Sequence, residues 1–284
     1  MIKIIKKNNY FEIIDNINKV LILTKKYKLG INVYFGERIK ICNNNGGPMD
    51  SIIIGDNVQI HHDSTIMVPS FSVLDYTKIN NNFYAYGTDD LNIGYNCWFG
   101  SGVILDTLGG LKINNNVGIG SQVQIYSHAK FGDTLYGCKI NTKKKIDLND
   151  DVWITPGCII TMASLSTKSM LLSGSVLTKD TVENHIYAGV PAIDITDKIG
   201  FQFNKENDFN EIYLQLKRYL DEFYLKNSNF DKNLIEICLE KPKKINKNIS
   251  YFVIKDRKYT KISSEVEIDF IKFLLPDRGK FIPY

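Results

Sequence analysis

A six-residue period runs through the middle of this 284-residue sequence: an apolar or small residue, one spacer, an apolar residue, then three polar or small residues. It runs Ile52-x-Ile54, Val58-x-Ile60, Ser64-x-Ile66; Leu91-x-Ile93, Cys97-x-Phe99, Val103-x-Leu105; and Leu111-x-Ile113, Val117-x-Ile119, Val123-x-Ile125. It continues as Ile146-x-Leu148, Val152-x-Ile154, Cys158-x-Ile160; and Ala163-x-Leu165, Ser169-x-Leu171, Ser175-x-Leu177. The second position is apolar all fifteen times. At the chain's 44% hydrophobic background this has a chance probability on the order of 10⁻⁶ to 10⁻⁵. A helix would space apolar residues by three and four, and a simple strand would alternate without pause. Short strands separated by tight turns fit the period. The intervening triplets, such as Gly55-Asp56-Asn57, Asn114-Asn115-Asn116 and Thr155-Pro156-Gly157, carry residues that tolerate positive φ or favour bends. Three hexads close one triangular coil, and five near-complete coils stack so that each covers its neighbour's apolar face.

Composition sets the outer limits. With 44% hydrophobic and 23% charged residues the chain can bury one large core or two ordinary ones. The net charge of +4 comes from 35 basic and 31 acidic residues spread along the chain, so no arm of the kind that grips nucleic acid is expected. The longest apolar run near the N-terminus, Val20-Leu21-Ile22-Leu23, is too short to cross a bilayer, no cleavage site follows it, and a cytoplasmic location is expected. Cys42, Cys97, Cys138, Cys158 and Cys238 are odd in number and hold no Cys-x-x-Cys pair, so neither a disulfide framework nor a structural metal is expected.

The stretch from Asp151-Val152-Trp153-Ile154 through Thr178-Lys179-Asp180 to Ala188-Gly189-Val190-Pro191-Ala192 resembles the final coils and exit of the hexapeptide-repeat acyltransferases. The resemblance covers about residues 50 to 195 and implies an all-β core, a left-handed parallel β-helix, with a homotrimer and acetyl-CoA as co-substrate. The register slips by one residue between Ile160 and Leu165, which reads as a tightened corner at Met162. Residues 1–50 read as an N-terminal cap with a short amphipathic helix through Phe11, Ile13, Ile14, Ile17, Val20 and Leu21. Residues 51–195 read as the β-helix, and 200–284 as an accessory C-terminal α/β module. In that module Phe209, Ile212, Leu216, Leu220 and Phe223 have helical spacing, Ile249 to Ile262 reads as a hairpin, and Ser264-x-x-Glu267 as a capping box.

Two breaks in the repeat draw functional attention. Residues 67–90 form an aromatic-rich insertion containing Phe71, Tyr76, Phe83, Tyr84 and Tyr86, expected to pack or to stack on a sugar ring. The second break, Tyr126 to Lys145, opens with Ser127-His128, where the resembled family carries a protruding loop with its catalytic histidine at the base. Acyl transfer from a thioester to a hydroxyl needs a base, because a free alcohol is a poor nucleophile at neutral pH, and imidazole can take that proton and return it to the departing thiolate. His128 is therefore the expected base, and Asp106, at the corner after Leu105, a turn residue that can also orient it. His61 and His62 read as surface or subunit-contact residues and His185 as structural. Backbone N–H groups near Gly157 or Gly174 are candidate oxyanion donors. By resemblance, Lys179 and Lys168 are placed near the phosphates of CoA, together with Gly157 and Trp153. Trp153 is an outward-facing spacer suited first to subunit contact and second to ligand stacking.

The function expected is acetyl-CoA-dependent O-acetylation of a sugar hydroxyl, of a surface glycan or its precursor, by a homotrimer that inserts in no membrane. The alternatives carried on the same fold are N-acetylation of an amino sugar, a zinc carbonic anhydrase-like enzyme and a non-catalytic scaffold. The zinc enzyme's histidine, four residues, histidine spacing is absent, His61 and His62 being adjacent.

Overall fold

A computed structural model describes residues 2–284, so only residue 1 of the expected cap lies outside it. The chain divides into two units after Phe203. In the first, short parallel strands build a β-helix whose three walls are sheets of ten, six and nine strands.

Each wall contributes one apolar column to the interior. Ile54, Val73, Ile93, Ile113 and Leu148 stack in register along the six-stranded wall. Ile60, Ile79, Phe99, Ile119, Ile154 and Leu171 stack along the nine-stranded wall, and Ile66, Ala85, Leu105, Ile125, Ile160 and Leu177 along the ten-stranded one. All are buried and belong to one cluster, with about 1.5–3 kcal/mol gained per large aliphatic chain removed from water. Where the third column narrows to Ala85, Phe83 fills the space, its ring edge-on to Phe99 at 5.4 Å.

The structure corrects three expectations. Residues 67–90 are not an insertion. Ser70–Val73, Lys78–Ile79 and Tyr84–Tyr86 form a regular coil whose inward residues include Phe71, Thr77 and Phe83. The coils also begin ahead of residue 51. Tyr27–Leu29, Tyr34–Phe35 and Lys40–Cys42 pair with the first coil read from the sequence and close another beneath it. The short helix expected through Phe11 to Leu21 is instead an antiparallel hairpin, Phe11–Asp15 against Val20–Thr24. Asp15 ends the first strand by accepting the Ile17 and Asn18 N–H groups, and Lys19 takes φ 54°, a local turn that a helix cannot accommodate.

One corner of the prism repeats a left-handed residue on successive coils: Asn32, Asn57, Tyr76, Asn96, Asn116 and Asp151, all with φ between 54° and 61°. Asparagine tolerates this conformation, and its amide reaches the next coil. Asn96 Nδ2 donates to Asn116 Oδ1 at 3.0 Å, and Asn116 Nδ2 to Asp151 Oδ1 at 3.1 Å. Tyr76 breaks the ladder and leaves Asn57 Nδ2 buried without an acceptor. Met162 has φ 50° at the slipped corner and gives its N–H to Tyr126 O.

In the second unit Ser250–Val253 lies parallel to Ile235–Cys238 and antiparallel to Lys258–Tyr259, which pairs in turn with Ile282–Pro283. The helix Phe209–Lys226 is capped by the Asp208 carboxylate. The helix Glu265–Leu274 starts at Ser264, whose Oγ accepts from Glu267 N, while the buried Glu267 carboxylate accepts the Ile262 and Ser263 N–H groups. Burial pushes the Glu267 carboxyl up from its ordinary pKa.

Candidate active site

The site is assembled where two consecutive coils leave the ten-stranded wall. The strands Ile104–Asp106 and Gln124–Tyr126 pair in parallel, so the chain turning after Asp106 passes directly beside Ser127 and His128. Asp106 is fully buried. Its Oδ1 accepts the Leu108 N–H at 2.7 Å, and its Oδ2 accepts the Ser127 N–H at 3.0 Å and meets His128 Nδ1. Ser127 Oγ accepts the Gly109 N–H at 2.8 Å, tying the two turns together. Gly109 is needed there, because a Cβ would lie 2.3 Å from Ser127 O.

The carboxylate oxygens are acceptors, so the Nδ1 facing them carries the hydrogen and the neutral ring presents a lone pair at Nε2. The imidazole is partly open to solvent while its partner carboxylate is not. His128 also begins an antiparallel hairpin, His128–Lys130 with Asn141–Lys143, whose tip exposes Phe131, Leu135 and Tyr136. The base of that hairpin is anchored by Lys144, whose N–H binds Ser127 O and whose ammonium pairs with Asp180 Oδ1 at 2.6 Å. Burial pushes the Asp180 carboxyl up, but Lys144 and the Ser164 N–H outweigh it and leave it below its usual range.

Beside the carboxylate lies an aromatic wall. Tyr86 is in register with Asp106 and stacks on Tyr84 at 5.3 Å, and Tyr126 follows on the next coil, its hydroxyl donating to Gln124. Burial, then the Asp106 charge, push the Tyr86 phenol up, so it keeps its proton across the neutral range.

Of the catalytic and cofactor-binding candidates expected from sequence, the structure brings Asp106 and His128 into contact. Lys179 is exposed just past Val176–Leu177, on the same edge of the ten-stranded wall, and its neighbour Asp180 holds Lys144. Trp153 lies half-exposed on the nine-stranded wall, and Lys168 reaches the Phe203 ring at 5.7 Å; neither is at the dyad within one chain. Gly157 is an exposed corner with φ 74°. Its N–H already binds Ser121 O, and that of Gly174 binds Pro156 O, so neither is free to serve an oxyanion. Gly109 and the Lys144–Asp180 pair are additions that the repeat pattern alone did not single out, while Tyr86, expected from sequence to pack or to stack on a sugar ring, lies beside Asp106.

The remaining histidines are engaged elsewhere. His62 Nδ1 accepts the Glu37 N–H, His61 Nε2 meets Gln59 Oε1, and His185 Nδ1 pairs with Asp194 Oδ2 at 2.6 Å. Among the described residues no three metal-ligating side chains are gathered, and no helix is long and apolar enough to cross a membrane.

No family model and no curated protein matches the chain. Solved structures do match it. The matched structures include hexapeptide-repeat acetyltransferases. A hexapeptide-repeat-containing acetyltransferase from Vibrio cholerae is 21% identical over 47% of this chain and 70% of its own, with a TM-score of 0.35. The polysialic acid O-acetyltransferase OatWY is 17% identical over 64% of this chain and 92% of its own, with a TM-score of 0.46. The N-acyltransferase AntD from Bacillus cereus, in complex with dTDP and coenzyme A, is 19% identical over 73% and 88%, with a TM-score of 0.38. At these identities the likeness is one of fold.

Proposed function

We propose that this protein is an acetyl-CoA-dependent O-acetyltransferase acting on a sugar hydroxyl. What carries the reading is the Asp106–His128 pair: a buried carboxylate, fixed by two backbone N–H groups, orienting a partly exposed imidazole.

In the proposed reaction His128 Nε2 takes the acceptor hydroxyl's proton as the oxygen attacks the thioester carbonyl. The new C–O bond forms, the C–S bond breaks, and the proton passes from Nε2 to the departing CoA thiolate. Asp106 stays an acceptor throughout: it fixes the tautomer and stabilises the imidazolium that forms. Lys179, on the same edge, is the proposed contact for the CoA phosphates, with Lys168 as a further candidate. The acceptor's apolar ring face is assigned to Tyr84 and Tyr86 beside the dyad.

The working form proposed is a homotrimer with its sites between subunits. The half-exposed indoles of Trp98 and Trp153 flank Gly118 on the nine-stranded wall, a concentrated apolar face suited to subunit contact. Release of CoA thiol from acetyl-CoA, over a panel of neutral, acidic and amino sugars, tests the assignment against His128→Ala. A loss of 10² or more, on the order expected for a missing base, supports it, and a fully active variant overturns it. Transfer confined to amino sugars would replace O- by N-acetylation.

A further inference from the structure

The chain's overall charge of +4 conceals a local excess. Residues 241–261, within the second unit, hold Lys241, Lys243, Lys244, Lys247, Lys255, Arg257, Lys258 and Lys261 against one acid, Asp256, a formal +7 over this stretch. Folding groups these charges. The exposed crossover 239–249 leaves Cys238 at the strand end where the turn 254–257 also lies, since Ile254 N binds Cys238 O and Lys255 pairs with Glu240. Lys241 and Lys258 both reach the Tyr284 ring at that end, at 3.6 and 5.6 Å. Because Ile235–Cys238 and Ser250–Val253 are parallel, the crossover must run back to the other end of the strands. It carries Lys243, Lys244 and Lys247, all exposed and without an ion pair among the described residues, and Lys261 follows Thr260, which binds Tyr251 at that second end.

We infer that this lysine band binds an anionic polysaccharide, holding an acidic polymer whose hydroxyls the first unit acetylates. The inference rests on the acetyltransferase reading and narrows its acceptor to an acidic glycan. Seven of the eight cations are lysines, compact point charges on flexible stems, which suit carboxylates dispersed along a polymer better than the forked recognition that arginine provides. Nucleic acid fits less well, because stacked bases need open aromatic faces. Tyr251, Phe252 and Tyr259 are buried, and Lys241 already covers the Tyr284 ring. Charge attraction of this kind weakens as salt rises.

The test measures binding of the full-length protein to polygalacturonate at two salt concentrations, with neutral dextran and an oligothymidylate of matched charge as comparators. The variant is Lys243→Glu, Lys244→Glu and Lys247→Glu together, with its melting temperature recorded to show that it folds. The expected result is salt-sensitive binding of polygalacturonate, none of dextran, and a loss of roughly tenfold or more in the triple variant. Equal binding by the variant, no binding of polygalacturonate, or tighter binding of the oligonucleotide overturns the inference. Binding is read without donor, so a failure of acetyl transfer, which would overturn the enzymatic reading, is seen separately.

Discussion

Replacing Asp106 by Asn changes almost no volume but reverses one hydrogen-bonding face in a fully buried site. The carboxylate accepts three hydrogens: Leu108 N–H on Oδ1, and Ser127 N–H and His128 Nδ1–H on Oδ2. If the new amide nitrogen takes the Oδ1 position, it faces the Leu108 N–H. If it takes the Oδ2 position, it faces the Ser127 N–H and drives the imidazole to the tautomer with hydrogen on Nε2, removing the lone pair that would accept the substrate proton. Either orientation leaves at least one buried donor opposed, at about 1–3 kcal/mol, which lowers the melting temperature by several degrees for a unit of this size. The expected kinetic signature of Asp106→Asn is a fall in kcat of about 10² to 10⁴, with the acetyl-CoA KM changed little. Acceptor-dependent thiol release over a pH series measures both. A variant within threefold of the parent kcat would refute the assignment of Asp106 as the positioning residue.

Other outcomes follow from single contacts. Gly109→Ala forces the two turns apart at Ser127 O, so activity and melting temperature should fall together, by on the order of 10² and several degrees. Asn116→Ala removes two amide bonds from the corner ladder and places alanine at φ 61°. Denaturant unfolding should register a loss of about 2–4 kcal/mol, and a change below 0.5 kcal/mol (~ the surface average) would deny the ladder a stabilising role. Asp194 is pushed up by burial, but hydrogen bonds from Thr196 and His185 outweigh this and bring its pKa down to about 2. A depressed carboxyl stabilises the fold above its unfolded pKa, and the contribution disappears as pH falls through about 2. The stability difference between parent and Asp194→Asn, about 1 kcal/mol after solvent screening, should therefore persist at neutral pH, shrink below the ordinary carboxyl pKa and close as pH falls through about 2.

The sequence was most readable where the inward residues are aliphatic. Each of the fifteen hexads read from it contributes its second apolar residue to the interior. The coil at Ser70–Tyr86 escaped because its inward set mixes Phe71, Thr77, Phe83 and Ala85, sizes and polarities that balance only when stacked on particular neighbours. The hairpin through Asp15–Val20 was misread because its apolar spacing suits a helix as well as two strands, and the deciding Asx turn is a local hydrogen-bond pattern. In the tail, the helix through Phe209–Lys226, the turn before Lys258 and the Ser264 cap were legible from spacing and caps. His128 was visible as the residue opening a break. Asp106 was not decisive, because a separation of 22 positions hides a contact that only one complete turn of the prism creates.

That last contact spans only one coil-to-coil step. The dyad is indexed to the stacking pitch rather than to the length of the chain. A whole coil of about 18–20 residues, gained or deleted between Ile66 and Phe71, would move the lower part of the prism as a block while leaving Asp106 and His128 at their present separation. The prism works as a ruler. Its overall height can drift through the loss and gain of rungs, and with it the distance from the reacting edge to either end, while the chemistry stays locked to one pair of adjacent marks.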